Sequence, residues 1–441
     1  MTEGIRSVRI PLWTVPICYS IAAFAGGLIL PRVETHFLPY IDWGMSASAA
    51  TAIFSSIASG MITLTGVVFS LAFVMVQFGS TAYSPRLVLW IVRDPVLFHA
   101  MGSFTATFLY SLGALSWVDR YGSGKVPFFC SWLAILLLMV SVGLFVALVQ
   151  RLRILQVSRM LAFTAGRGRK AIESLYRRRG AGPAPDAAGI RGTPVTQVVN
   201  HRGPMRTVQA VDAEAMGAVA ESNGAVIEVV PAVGDVVLDS LPLLRIHGSS
   251  RNIPEEALLP AIQLGDERTF EQDPKYAIRL LVDIAIRALS PAVNDPTTAI
   301  QALDHIEDLL MRLGRCDLDI EAFRDGAGAV RVLVPFPSWD DFLALAFEEI
   351  RACGGGSVQV MRRMNALVDD LLSALPEERH AALLNQRERL TALVERSFAS
   401  PGERMEASIG DRQGLGGPGR LTGSGRRRAI APASAEMGDP R

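Results

Sequence analysis

The chain has 441 residues, half of them hydrophobic, with 43 lysines and arginines balanced by 43 aspartates and glutamates. A net charge of zero argues against bulk attraction to nucleic acid, and the positive mean hydropathy is high for a wholly soluble protein. Cys18, Cys130, Cys316 and Cys353 form no CxxC pair and the six histidines form no HxxxH or HExxH arrangement, so no disulfide framework, zinc site or other cofactor is expected.

Apolar residues are concentrated before Arg151. A bilayer core of about 30 Å needs roughly 20 apolar residues as a helix, because lipid cannot satisfy a bare backbone. Four stretches qualify, at about 11–30, 52–78, 96–117 and 126–149. Arg6 and Arg9 precede the first, Arg86 and Arg93 follow the second, and Arg151, Arg153, Arg159, Arg167, Arg169 and Lys170 follow the fourth. The other two loops carry only Arg32, and Arg120 with Lys125. This asymmetry predicts both termini in the cytosol. Trp13, Trp43, Trp90, Trp117 and Trp132 fall near predicted span ends as interfacial anchors. The start of the chain also resembles a signal peptide ending at Ala23-Phe24-Ala25, but the apolar run continues through Leu30, which favours an uncleaved helix.

Residues 151–179 read as a basic helix suited to anionic headgroups, and 180–192 as a Gly/Pro/Ala linker. A small β-module is expected over 193–250. Its strands fall at 205–211, 225–231 and 236–246, with a helix at 212–222 capped by Asp212 and a Gly234-Asp235 turn. The run from Val229 to Val237 resembles half of a biotinyl- or lipoyl-type barrel; the module has no lysine, which excludes a lysine-linked carrier. A docking or structural role is the plainer reading. Residues 251–399 read as a helical domain. Tyr276, Leu280, Leu281, Ile284 and Leu289 supply an apolar face, and Asp295-Pro296 starts the next helix. A strand follows at 330–334, then helices near 339–352, 357–375 and 377–398. The Gly/Pro/Arg-rich residues 400–441 read as a disordered tail. The fold class is therefore a four-helix transmembrane bundle followed by a cytosolic, mostly helical α+β region.

Gly60-Met61-Ile62-Thr63, Gly66-Val67-Val68-Phe69-Ser70 and Ser84-Pro85-Arg86-Leu87 resemble the second span and following loop of a bacterial predicted-membrane-protein family, labelled domain of unknown function twenty-two fifty-four. Glu267-Arg268-Thr269, Leu281-Val282-Asp283-Ile284-Ala285, Arg287-Ala288-Leu289-Ser290-Pro291 and Asn294-Asp295-Pro296 resemble its soluble motif. The resemblance covers roughly residues 10–395. It implies the architecture and a bacterial inner-membrane location, and it carries no catalytic residues.

Two groups of residues are candidate sites. In the second span Ser56, Thr63, Ser70 and Gln77 recur every seven residues, with Gly60, Val67 and Val74 between them, and the third span adds His99, Ser103 and Tyr110. Such a stripe is a packing seam between helices or the lining of a polar path. In the soluble half, Arg279, Asp283, Arg287, Asn294 and Asp295 are surface ion pairs and a capped turn, or a site for a small anion or a cytosolic partner. No Walker loop, dinucleotide fingerprint or nucleophile elbow is present, so an enzyme is not expected. The leading expectation is a homo-oligomeric, channel-like assembly in the lipid bilayer, controlled by its cytosolic region. The alternative is a non-conducting scaffold or sensor that binds a cytosolic protein.

Overall fold

The computed structural model describes residues 13–37, 44–82, 95–120, 126–151, 156–176, 181–182 and 190–415. The chain divides into two units, Met1–Arg159 and Met160–Arg441.

The first unit contains four helices: α1 (Thr14–Phe37), α2 (Ala47–Ala82), α3 (Pro95–Leu115) and α4 (Phe128–Arg151). Three of them are long and apolar enough to cross a membrane: Thr14–Phe37, Ala47–Gln77 and Phe128–Gln150. The expected span at 96–117 forms a helix, α3, that is not among these three. Its apolar content is diluted by His99, Ser103, Thr105, Thr107, Tyr110 and Ser111. That composition fits its position, because α3 packs against each of α1, α2 and α4. Phe104, Ala100, Thr107 and Ser111 are buried outright.

Glycines set the closest approach. A Cβ at Gly27 would lie 2.7 Å from the Tyr110 carbonyl oxygen, and one at Gly113 would lie 3.1 Å from the Gly27 backbone. A Cβ at Gly102 would meet the Tyr19 ring at 2.9 Å. Small residues at these points let α1 and α3 touch backbone to backbone. Glu34, near the end of α1, accepts the N–H groups of Phe129 and Cys130, each at 3.0 Å. A carboxylate there satisfies two orphan donors at the start of α4 and complements the helix dipole.

The second unit is an α+β assembly. Helix α5 (Val157–Tyr176) begins at its edge; then come β1 (Ala181–Gly182), β2 (Val195–Asn200), β3 (Arg206–Val211), α6 (Ala213–Ser222), β4 (Val226–Val229), β5 (Val236–Val237) and β6 (Pro242–His247). They are followed by α7 (Glu255–Leu258), β7 (Ile262–Gly265), α8 (Pro274–Ala288), α9 (Pro296–Gly314), β8 (Ala322–Arg324) and β9 (Val330–Leu333). Helices α10 (Trp339–Gly354), α11 (Val358–Ala374), α12 (His380–Ser397) and α13 (Pro401–Ser408) complete it. One sheet has the order β1-β8-β9-β4-β6-β2 and the other β5-β3-β7. Strand β9 pairs in parallel with β4, so the sheet crosses the boundary expected near residue 250. Its core includes Ile227, Val229, Leu244 and Ile246 with Val332 from the later strand.

Two expectations are corrected here. The basic helix after the membrane unit is not merely a solvated or lipid-facing segment: Met160, Leu161, Ala165, Gly168 and Ile172 are buried. A Cβ at Gly168 would meet Ala277 and Leu309 at 2.8 and 2.9 Å, so α5 seats closely on α8 and α9. The tail is also ordered as far as residue 415. Ser400 and Glu403 form a capping box with Pro401 in the first turn of α13. Beyond it the Asp411 amide donates to the Arg362 carbonyl at 3.0 Å. Residues 416–441 lie outside the described residues, as do Trp43, Trp90 and most of the 180–192 linker.

Candidate functional site

In the membrane unit the expected polar residues separate into two sets. Ser56, Gly60, Thr63, Ser70 and Gln77 are all on the exposed side of α2, while Phe54, Ile57, Met61 and Val68 face the bundle. Nothing lies within 4 Å of a Cβ built at Gly60 or Gly66. The Thr63 hydroxyl turns back to the Ser59 carbonyl at 2.8 Å. Bulky Ile62, Phe69 and Phe73 are exposed as well. At 100° per residue they lie beside the small-polar stripe, which itself carries exposed Val67 and Val74 between its small and polar residues.

The residues expected on α3 turn inward in part. Ser103 Oγ lies 3.0 Å from Ser141 Oγ, and Thr107 Oγ1 is also 3.0 Å from Ser141 Oγ. Tyr110 donates to the Cys130 carbonyl at 3.1 Å. His99 stays exposed, with its Nδ1 3.0 Å from the Tyr19 hydroxyl. These bonds knit helices together. A dry interior makes them the favourable use of such polar groups. Ser141 and Thr107, not singled out from the sequence, are the partners that complete the cluster. Nothing in the local pattern of α4 reveals that Ser141 faces α3.

In the soluble unit Asp273 and Asp295 cap α8 and α9, accepting from the amides of Tyr276 at 3.0 Å and Thr298 at 3.1 Å. Arg279 is closed on both sides. Its Nε donates to Asp283 at 2.7 Å, and Nη1 and Nη2 grip both oxygens of Glu349 on α10 at 2.5 and 2.7 Å. The two carboxylates raise the Arg279 pKa, and its charge in turn holds Glu349 below the usual carboxylate range. This fork is a clamp between α8 and α10 in which two carboxylates neutralise the guanidinium. Asn294 adopts a left-handed φ of +47°, which a short amide side chain tolerates. Its amide bonds the Ser290 carbonyl, and the Asp295 amide bonds that of Ala288, both at 2.8 Å. The ten residues from Arg279 to Ala288 span ~14 Å of helix. The five expected residues therefore do not converge: Arg279 and Asp283 join Glu349, Asn294 and Asp295 shape the turn, and half-buried Arg287 lies between.

The matching family model, "Predicted membrane protein (DUF2254)", covers residues 9–370. The chain belongs to this family. Three relatives share 26% identity with it over 413 residues, covering 89% of this chain and 78% of each relative. They are the uncharacterized proteins Mb1321c of Mycobacterium bovis, and Rv1290c and MT1328 of two Mycobacterium tuberculosis strains. No solved structure matches the chain. As a DUF2254 protein it is a membrane protein, and its apolar helices α1, α2 and α4 provide the means of insertion.

The soluble unit offers two concavities outside the expected site. A cleft of about 1030 Å³ has Asp212, Glu214, Glu221, Glu271 and Asp325 in its lining together with Arg324 and Arg331. Arg331 is spent on Asp325 at 2.7 Å. A smaller recess of about 390 Å³ lies between α10 and α12, lined by Arg351, Arg389 and Arg396. Among the described residues, no group of three His, Cys, Asp or Glu side chains could hold a metal ion.

Proposed function

We propose that this DUF2254 protein is a multi-copy assembly of the bacterial inner membrane. Its copies meet along the Ser56–Gln77 face of α2, and a polar path runs between copies, governed by the soluble unit. The observation that carries the reading is the exposure of Ser56, Gly60, Thr63, Ser70 and Gln77 on a helix apolar enough to span the bilayer. Left against acyl chains, small and polar side chains gain nothing; against a second copy they allow close packing and interhelical hydrogen bonds. A path within one copy has no such support, because Ser103, Thr107 and Ser141 consume one another.

Helix α3 is read as a fourth span. Its 21 residues reach ~31 Å. Tyr19 with His99 and Gly27 with Gly113 make it parallel to α1; Ser103 with Ser141 and Tyr110 with Cys130 make it antiparallel to α4. That alternation is what four successive crossings require, and the arginine asymmetry then sets both termini and the soluble unit in the cytosol. The test is ion flux from liposomes containing the purified chain. Flux should appear and should fall in Ser70→Leu. A folded, assembled protein without flux would instead favour a non-conducting sensor, a second reading supported by the hydrogen-bonded interior of each copy.

A further inference from the structure

The recess between α10 and α12 is built from side chains far apart in sequence. Arg351 comes from the last turn of α10, and Gln386, Arg389 and Arg396 come from α12. Arg389 and Arg396 are seven residues apart, two turns, and so share a face. Gln386 is buried, 6% exposed, and its Oε1 accepts from Arg351 Nη1 at 3.0 Å, fixing the guanidinium toward its two neighbours.

Several guanidiniums in this unit are closed by carboxylates, Arg169 by Asp308, Arg279 by Asp283 and Glu349, and Arg363 by Asp304 and Glu307, while Arg379 and Arg404 are held by backbone carbonyls. The recess instead gathers three arginines in one place. Arg389 reaches Glu348 only at 3.6 Å, and its Nε bonds the neutral Asn385 at 2.9 Å. Arg396 Nε bonds the Ala392 carbonyl of its own helix at 3.2 Å. Among the described residues neither Arg351 nor Arg396 has an ion-pair partner. Burial and then the positive charge of Arg389 push the Arg351 pKa down, with Arg396 adding to it against Glu348. Arginine does not give up its proton in proteins, so the repulsion persists until an anion enters.

We propose that Arg351, Arg389 and Arg396 form a binding site for a phosphate-bearing anion. Planar guanidinium forks match phosphate oxygens in pairs, and three of them around 390 Å³ leave room for the group to which the phosphate is attached. Glu395 also lines the recess and offsets part of its positive charge. The site stands whether or not the membrane unit conducts.

The phosphate could belong to a free metabolite or to a lipid headgroup, and one experiment separates them. The full chain is placed in phosphatidylcholine nanodiscs and titrated calorimetrically with inorganic phosphate and with pyrophosphate. In parallel, its thermal stability is followed in nanodiscs of rising phosphatidylglycerol content. A free-anion site gives saturable binding in the first arm. A headgroup site gives a saturable, phosphatidylglycerol-dependent stabilisation in the second. In whichever arm responds, Arg389→Gln and Arg396→Gln weaken the effect at least tenfold, whereas Arg412→Gln, an exposed residue paired with Asp370, leaves it unchanged. Both side chains are exposed, so their loss does not threaten folding. No response in either arm, or a response that Arg389→Gln and Arg396→Gln leave intact, overturns the proposal.

Discussion

At the scale of single residues, glycine has opposite consequences on two membrane helices. Gly113 lies against the Gly27 backbone, whereas Gly60 faces open space. Gly113→Leu should therefore lower the thermal stability of the individual detergent-solubilised copy by about 1–3 kcal/mol, the usual range for overpacking, whereas Gly60→Leu should leave the fold of each copy intact and disturb only the association between copies. Equal effects would contradict the assigned faces. Arg279 carries a second test. Removing its fork with Arg279→Gln should destabilise the soluble unit by about 1.5–3 kcal/mol, the range for hydrogen bonds to charged groups. A double-mutant cycle with Glu349→Gln should then show positive coupling, and simple additivity would mean the clamp contributes nothing. The pH dependence has a fixed sign. Arg279 lowers the Glu349 pKa in the folded state, so this contribution is complete above the unfolded value near ~4.3. It is lost as pH falls through the folded pKa. Wild type should lose stability more steeply than Glu349→Gln on acidification below about pH 4; parallel acid limbs would count against the pairing.

At the scale of elements, local signals were readable wherever the chain supplies both the signal and its partner within a few residues. Asp212 and Asp295 mark helix starts in the sequence, and the structure has α6 and α9 beginning there. Strand β2 was not legible. Val195 and Val198 are exposed while Val199 is buried, and two register shifts in its pairing with β6 break the alternation that betrays a strand. The partner of β4 could not be read either, because β9 arrives about a hundred residues later. The same distance hid the arginine recess: Arg351 and Arg389 look like ordinary solvated positions until α10 and α12 pack. Conversely the Arg279 motif looked like a site because its neutralising partner, Glu349, is seventy residues away. The Gly- and Arg-rich composition after residue 400 suggested disorder and masked α13. Truncation after residue 399 should lower the melting temperature of the soluble unit. It removes the Asn365–Ala407 hydrogen bond of 3.1 Å and uncovers Ala366, against which Gly410 packs. An unchanged melting temperature would show that the ordered part of the tail is dispensable.

At the scale of the whole molecule, hydropathy pointed to four spans, of which α1, α2 and α4 are long and apolar enough to cross a membrane, while the polar residues within α3 meet its neighbours. Periodicity found the stripe on α2, yet could not say whether it faced inward or outward. That depends on which side Phe54, Ile57 and Val68 fill. With the stripe outward, the functional reading moves from a single copy to the contact between copies. Cysteine cross-linking in native membranes addresses that contact most directly. In a background with Cys18, Cys130, Cys316 and Cys353 replaced, oxidation of Thr63→Cys should give a covalent dimer, while Phe73→Cys, beside the stripe on the same exposed face, should stay monomeric. Cross-linking at Phe73→Cys with none at Thr63→Cys, or at neither position, would contradict an assembly built on this face of α2.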